Sequence, residues 1–583
     1  MQKLQGKPNF FAALFAIAFL AAGAATQAAT PQASGRDLEA EQSQTGAYLA
    51  ALIASADRDT ASAEAYFRDA LKLDPRNPDL IERVFAAALA NGDEQTASLL
   101  GERLIARDPG NNLARLASAV HAIGQGQYGA ARNLLASGDA RLRDVTSSLL
   151  VAWSYAGQGD LKRALDVLDR NRDAPVHAFR DYHAGLIADQ LGNPSEARRR
   201  FKSAYESDKT TLRFADAYAR FLAAHGEADA ALKIYGDYSN VIPNHPIVQA
   251  EIAALKAGQT PEPLERNAKE GAAEALYGLG GAGGRQGDEL PAIIYLRLSL
   301  YLRPGNDLAT VTLANLLEQM KQGEQAISLY DSVPATSPLK EDAEIQVAVA
   351  LDGMGKSDEA MKRLQALVDR RPHDQEALSA LAGLQRSAKR YAEAAATYDK
   401  AIAAIGIPQK ENWTLFYFRG ICYERDKQWP KAEADFKKAL ELYPDQPLVL
   451  NYLGYSWVDK GVNLNEAFHM LHKAVEMRPD DGYIVDSLGW AHFKLGQYAE
   501  ATKALERAVN LKPSDPVLND HLGDAYWRVN RRTEAHFQWN HARDMGPEPD
   551  DLPAILHKIE HGLPDLSAAP KASDESARRE SGG

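Results

Sequence analysis

The sequence predicts an all-α superhelical solenoid of about 14 helix-turn-helix units, and three observations carry that prediction. An alanine ladder runs through Ala63, Ala97, Ala131, Ala164, Ala197, Ala231, Ala292, Ala326, Ala360, Ala394, Ala432, Ala467, Ala501 and Ala535. Ten of its thirteen steps are 33 or 34 residues long, a period that belongs to stacked helical pairs rather than to unrelated domains. About twelve residues before the ladder alanine stands a second small residue, as at Gly185, Ala348, Ala382, Gly420, Gly489 and Gly523. Two helices that cross closely need small side chains at the crossing, with large neighbours such as Phe436, Leu505 and Trp539 filling the space beside it. Prolines at 75, 109, 304, 372, 444, 479, 513 and 547 close many units, because proline lacks the amide hydrogen and clashes with the preceding turn.

In chain order, the first element precedes the repeats. Lys3 and Lys7 lead into an uncharged apolar run from Phe10 to Leu20, then small residues with candidate cleavage sites at Ala22-Gly23-Ala24 and Thr26-Gln27-Ala28. That is the pattern of a secretory signal peptide, here residues 1–28, and it predicts an exported, periplasmic protein. The alternative is an uncleaved segment anchored in the inner membrane, the one membrane contact the sequence suggests. No cysteine lies near this region to accept a lipid. A first array is expected over residues 44–240 and a second over 273–547, joined by 241–272, where the ladder takes a step of 61 residues. Pro261 and Pro263 interrupt helix there, and the glycine-rich run from Gly278 to Gly287 follows. Six glycines in helical positions cost roughly 5 kcal/mol relative to alanine, at about 1 kcal/mol each. Residues 548–564 read as a capping helix, with Leu552, Ile555, Leu556 and Ile559 on one face to cover the last unit. The stretch 565–583 is small, polar and of mixed charge, the composition of a disordered tail.

Composition excludes several functions. Of 583 residues, 45% are hydrophobic and 25% charged, which is ordinary for a globular chain. Asp and Glu number 79 against 66 Lys and Arg, a net charge of −13, so the basic footprint that nucleic-acid binding requires is missing. A single cysteine, Cys422, rules out an intrachain disulfide and a cysteine-based zinc site. Metalloprotease HExxH, hydrolase GxSxG and phosphate-loop sequences do not occur. The spacing Gly278-x-Gly280-x-x-Gly283 matches a dinucleotide fingerprint only formally, since no strand pattern precedes it. His469 and His472 share a helical face but have no third ligand at a clear spacing. The sequence therefore predicts no catalytic residue, no metal and no cofactor.

The unit from Pro516 to Pro547 carries Leu522-Gly523, Tyr526, Ala535, Trp539, Ala542 and Pro547, and in this it resembles the tetratricopeptide repeat. The pattern extends over roughly residues 44–547. The stretch Leu450 to Ala501 is similar to exported bacterial proteins of that family, among them a lipoprotein adaptor partnering a carboxyl-terminal processing protease. The resemblance implies that the first helix of each unit lines an inner groove and binds a protein or peptide. Its contact offsets fall on Tyr417 and Glu424, Asn451 and Tyr455, then Tyr483, Asp486, Trp490 and Phe493, and finally Asp520, Asp524 and Trp527. Packing between repeats is the competing role for each of these rings. Asp486, Asp520 and Asp524 would repel a peptide's carboxyl terminus, so a basic or uncharged segment is the expected ligand. The implied function is a non-enzymatic scaffold or adaptor in the bacterial cell envelope, presenting substrates to a periplasmic protease or assembly machinery. The alternative is an accessory subunit of a polysaccharide export or glycosyltransferase system.

Overall fold

A computed structural model describes residues 43–136, 145–170, 176–283 and 289–564. The expected signal peptide (1–28) and tail (565–583) lie outside these residues. Among the described residues there are thirty α-helices and no strand. No described helix is long and apolar enough to cross a membrane.

Twenty-eight of the helices form fourteen antiparallel pairs, from Gln44–Ala56 with Thr60–Leu73 to Pro516–Arg528 with Arg532–Asp544. Every ladder alanine falls in the second helix of its pair, and each is buried. The reason is steric: a virtual Cβ on Gly523 would stand 2.5 Å from Trp539, and one on Gly185 would stand 2.7 Å from Phe201. No real Cβ tolerates such approach, so the first helix supplies glycine where the second supplies the ring. Turns between paired helices pass through a left-handed residue, glycine at Gly192, Gly226 and Gly496 but Lys389, Lys427 and Asn530 elsewhere. The described residues form the expected all-α solenoid of fourteen units.

The unpaired helices are Pro246–Lys256, within the long ladder step, and Leu552–His561, after the last pair. Between Lys256 and Ala268 the chain runs without regular structure, and it then enters Ala268–Ala282, which stays helical through Gly278, Gly280 and Gly281. Two compact units divide between Leu367 and Val368.

In the first unit the repeats do not simply stack. Ala268–Ala282 packs against Asn112–Gly124, Val145–Ala156 and His177–Gln190, and Glu289–Leu302 packs against Pro78–Asn91 and Asn112–Gly124. All four recipients are first helices of their pairs. The glycines of Ala268–Ala282 make this possible. A virtual Cβ on Gly278 would stand 2.5 Å from the Phe179 ring, and one on Gly271 would overlap Trp153. Four first helices of the first unit are thus covered in part by the chain's own later helices.

Candidate functional site

A buried polar network fastens that filling. Tyr182 donates to Glu274 at 2.7 Å, and Arg213 grips the same carboxylate at 2.8 and 2.6 Å. Burial pushes the Glu274 carboxyl up, but the Arg213 charge and these hydrogen bonds outweigh it and hold it below the usual range. Arg303 reaches the neighbouring Glu265 at 3.1 Å. Burial and the Glu274 charge together drive the Glu265 carboxyl well up. His183 accepts from the Trp153 indole at 3.2 Å, and burial pushes it down to about 3, so it stays neutral. Farther along, Arg297 donates to the Ala90 carbonyl and Tyr301 pairs with His121. Sequence periodicity could not find this network, because Glu265 and Glu274 lie inside the long ladder step, where the period does not say which earlier or later residues they meet. A glutamate amid small residues in Ala268–Ala282 was the available signal.

The residues expected to bind a partner all lie in the second unit, and they fall into three groups. Tyr417 is half-buried among Trp413, Phe418, Phe436 and Tyr452, and burial pushes its phenol up to about 12. Glu424 accepts from Tyr452 at 3.2 Å. Asn451 and Tyr455 follow on the helix Pro447–Lys460, both half-buried. The Asn451 side-chain oxygen is enclosed without a hydrogen-bond partner among the described residues.

The second group joins two repeats. Trp490, on Gly482–Lys494, is stacked between Phe493 at 4.7 Å and His521 at 3.9 Å between ring centroids. The His521 imidazole meets the buried Asp486 carboxylate at 3.0 Å. Burial opposes protonating His521, but the charges of Asp486, Asp520 and Asp524 and the Asp486 hydrogen bond outweigh it, and its pKa is raised. Tyr483 is 37% exposed, with the Lys512 ammonium 4.5 Å over its ring.

The third group is occupied by the chain itself. Lys558, on Leu552–His561, places its ammonium 2.7 Å from Asp520 and 2.9 Å from Asp524. Asp524 also accepts from the Trp539 indole at 2.9 Å. Trp527 donates to the Leu563 carbonyl at 3.0 Å and lies under the Arg532 guanidinium at 3.7 Å. Thus the three aspartates expected to face a ligand are paired within the chain, one with an imidazole and two with a lysine. Neither His521 nor Lys558 stands out in the sequence: His521 shares its helix with Arg528, and Lys558 lies between His557 and His561. Among the described residues no group of three or more His, Cys, Asp or Glu could hold a metal ion. Cys422 is buried, and burial pushes its thiol up to about 12.

Models of the tetratricopeptide repeat match residues 46–77, 348–406 and 413–446, and a TPR repeat model matches 489–530. These four stretches are similar to tetratricopeptide repeats. Each lies on the helical pairs described above. The TPR repeat-containing protein PA4667 of Pseudomonas aeruginosa is 30% identical over 204 residues, 34% of this chain and 33% of that protein. The chain thus matches about a third of that relative's length. BBSome complex member BBS4 of Bos taurus is 32% identical over 92 residues, 16% of this chain and 17% of that protein. Among solved structures, the Cut9–Hcn1 hetero-tetramer of the APC/C matches with 16% identity and a TM-score of 0.38, covering 91% of this chain and 98% of that one. A tetratricopeptide repeat protein from Parabacteroides merdae matches at 17% identity and a TM-score of 0.37, covering 43% of this chain and 97% of that one.

Proposed function

We propose that the chain is a non-enzymatic adaptor of the bacterial cell envelope that captures a protein partner on the first helices of its second unit. The observation that carries this reading is the contrast between the two units. In the first, the corresponding helices are spent on Ala268–Ala282 and Glu289–Leu302. In the second, Tyr455, Tyr483, Trp490 and Trp527 keep part of their surface accessible on successive first helices. Rigid aromatic faces give large contact area for little lost rotamer freedom, and anchors of this type dominate protein interfaces. The signal-peptide pattern of residues 1–28 supports export to the periplasm, where a processing protease or an assembly machine would receive what the adaptor holds. An uncleaved segment would put the same adaptor on the inner membrane.

Site-specific photo-crosslinking in cells, from Asn451 and from Trp490, tests the proposal. It expects a discrete protein adduct from both positions, with an envelope protease or assembly factor among the captured chains. Capture of polysaccharide-export or glycosyltransferase subunits would replace this reading with the accessory-subunit one. Absence of adducts from either position, with the protein folded and exported, would reject the surface.

A further inference from the structure

The end of the chain marks out what one part of this surface takes. Leu552–His561 is separated from the last pair by Gly546, at φ +72°, and by Pro547 and Pro549, so it is not a continuation of the preceding helix. Only Ile555 of its ten residues is fully buried, with Ile559 and Leu563 packed beside it, while Leu556 is 45% exposed. Its specific hold is polar: Lys558 on Asp520 and Asp524, and the carbonyls of Leu563 and Pro564 on Trp527 and Arg528. One Asp520 oxygen remains enclosed and without a hydrogen-bond partner among the described residues. The pair of carboxylates is therefore not saturated by the single lysine that reaches it.

We propose that the face made by Asp520, Asp524 and Trp527 is a docking site for a lysine-bearing amphipathic helix of the partner protein, and that residues 551–564 hold this site in cis until they are displaced. This rests on the adaptor reading and names the chemistry of its ligand. Three features recommend a helix with an Ile-x-x-Lys spacing. The chain's own occupant has that form, with Ile555 entering the apolar cluster around Trp539 and Lys558 one turn on. Both carboxylates lie one turn apart on Pro516–Arg528, so they accept one ammonium between them. The first unit independently fills its first helices with helices, not extended chain.

Displacement has a measurable signature, because a site closed by an internal segment binds weakly in proportion to its open fraction. The probe is a fluorescein-labelled peptide of residues 549–564, read by anisotropy against the full-length protein. The protein with Lys558→Glu is expected to bind it at least about tenfold more tightly than the unaltered protein. A peptide carrying Glu in place of its own lysine is expected to bind neither. Equal binding to both proteins, or binding to neither, overturns the proposal. Hydrogen exchange on the unaltered protein gives a second reading that needs no variant. Amides of 552–561 are expected to exchange at least about tenfold faster than those of 516–528. Equal protection makes the segment a permanent cap and also overturns it. Peptide binding without any cellular crosslink from Trp490 would leave this site standing while the adaptor reading fell.

Discussion

At the scale of single residues, the crossing of paired helices is the most constrained feature of the molecule. Gly523 lies against the Trp539 ring, and both are buried. Gly523→Ala inserts a methyl group where no space exists, and the ring cannot retreat because its indole is tied to Asp524. The expected loss is about 1–3 kcal/mol, seen as a lower urea midpoint. Ala501→Leu, at a fully buried rung of the ladder, should cost a similar ~1–3 kcal/mol. An unchanged midpoint in either variant would mean that the helices can part at the crossing. These positions were legible from the sequence because the crossing demands a small residue whatever the neighbouring repeat contains. The partner of each aspartate was not. Asp486 meets His521 thirty-five residues away and Asp524 meets Lys558 thirty-four residues away; each separation is about one repeat period, which sets neighbouring units side by side, but residue type does not say which of the facing side chains pair.

Between helices, two ionic contacts make opposite demands. His521 on Pro516–Arg528 faces Asp486 on Gly482–Lys494, with Asp520 and Asp524 on its own helix adding negative charge. Because its pKa is raised on folding, the stability it contributes is complete below the ordinary imidazole range and is lost as pH rises through the raised value. Thermal unfolding of the unaltered protein should therefore show a midpoint that falls as pH rises above the ordinary imidazole range, and Asp486→Asn should flatten that slope. Equal slopes would assign the dependence to other groups. Arg213 does the converse in the first unit, where it neutralises Glu274 and lies near Glu265 at every accessible pH. Arg213→Met strands a buried carboxylate and should cost about 3–5 kcal/mol by urea denaturation. A loss below about 1 kcal/mol would show that water reaches Glu274. The elements joined by these contacts could be read from the sequence, and the contacts themselves could not. Ala268–Ala282 shows why. Its glycines look like a weak helix when each is charged its propensity cost, yet Gly271 and Gly278 are the places where Trp153 and Phe179 come in.

For the whole molecule, the consequence is a difference in cooperativity between two units made of the same repeat. A solenoid with contacts only between neighbours opens in steps, each pair contributing its own stability and its interface. The second unit meets that description, with Trp413–Arg425, Pro447–Lys460, Gly482–Lys494 and Pro516–Arg528 packing chiefly on adjacent elements. The first unit does not. Glu289–Leu302 bonds to Ala90 and His121 from about two hundred residues away, and Gln322 donates to the Arg58 carbonyl and pairs with Thr60. None of the pairs that begin with Pro78–Asn91, Asn112–Gly124, Val145–Ala156 and His177–Gln190 can leave without unmaking a contact to Ala268–Ala282 or Glu289–Leu302. Native-state hydrogen exchange in low urea should therefore give one common opening free energy for the slowest amides of residues 78–302. In the second unit the values should form a graded series, falling toward residue 564. A graded series in the first unit as well would mean that Ala268–Ala282 and Glu289–Leu302 rest on the earlier helices without tying them together. The same experiment on Arg213→Met discriminates further. The common value of the first unit should drop as a block, and the gradient of the second should stay where it was.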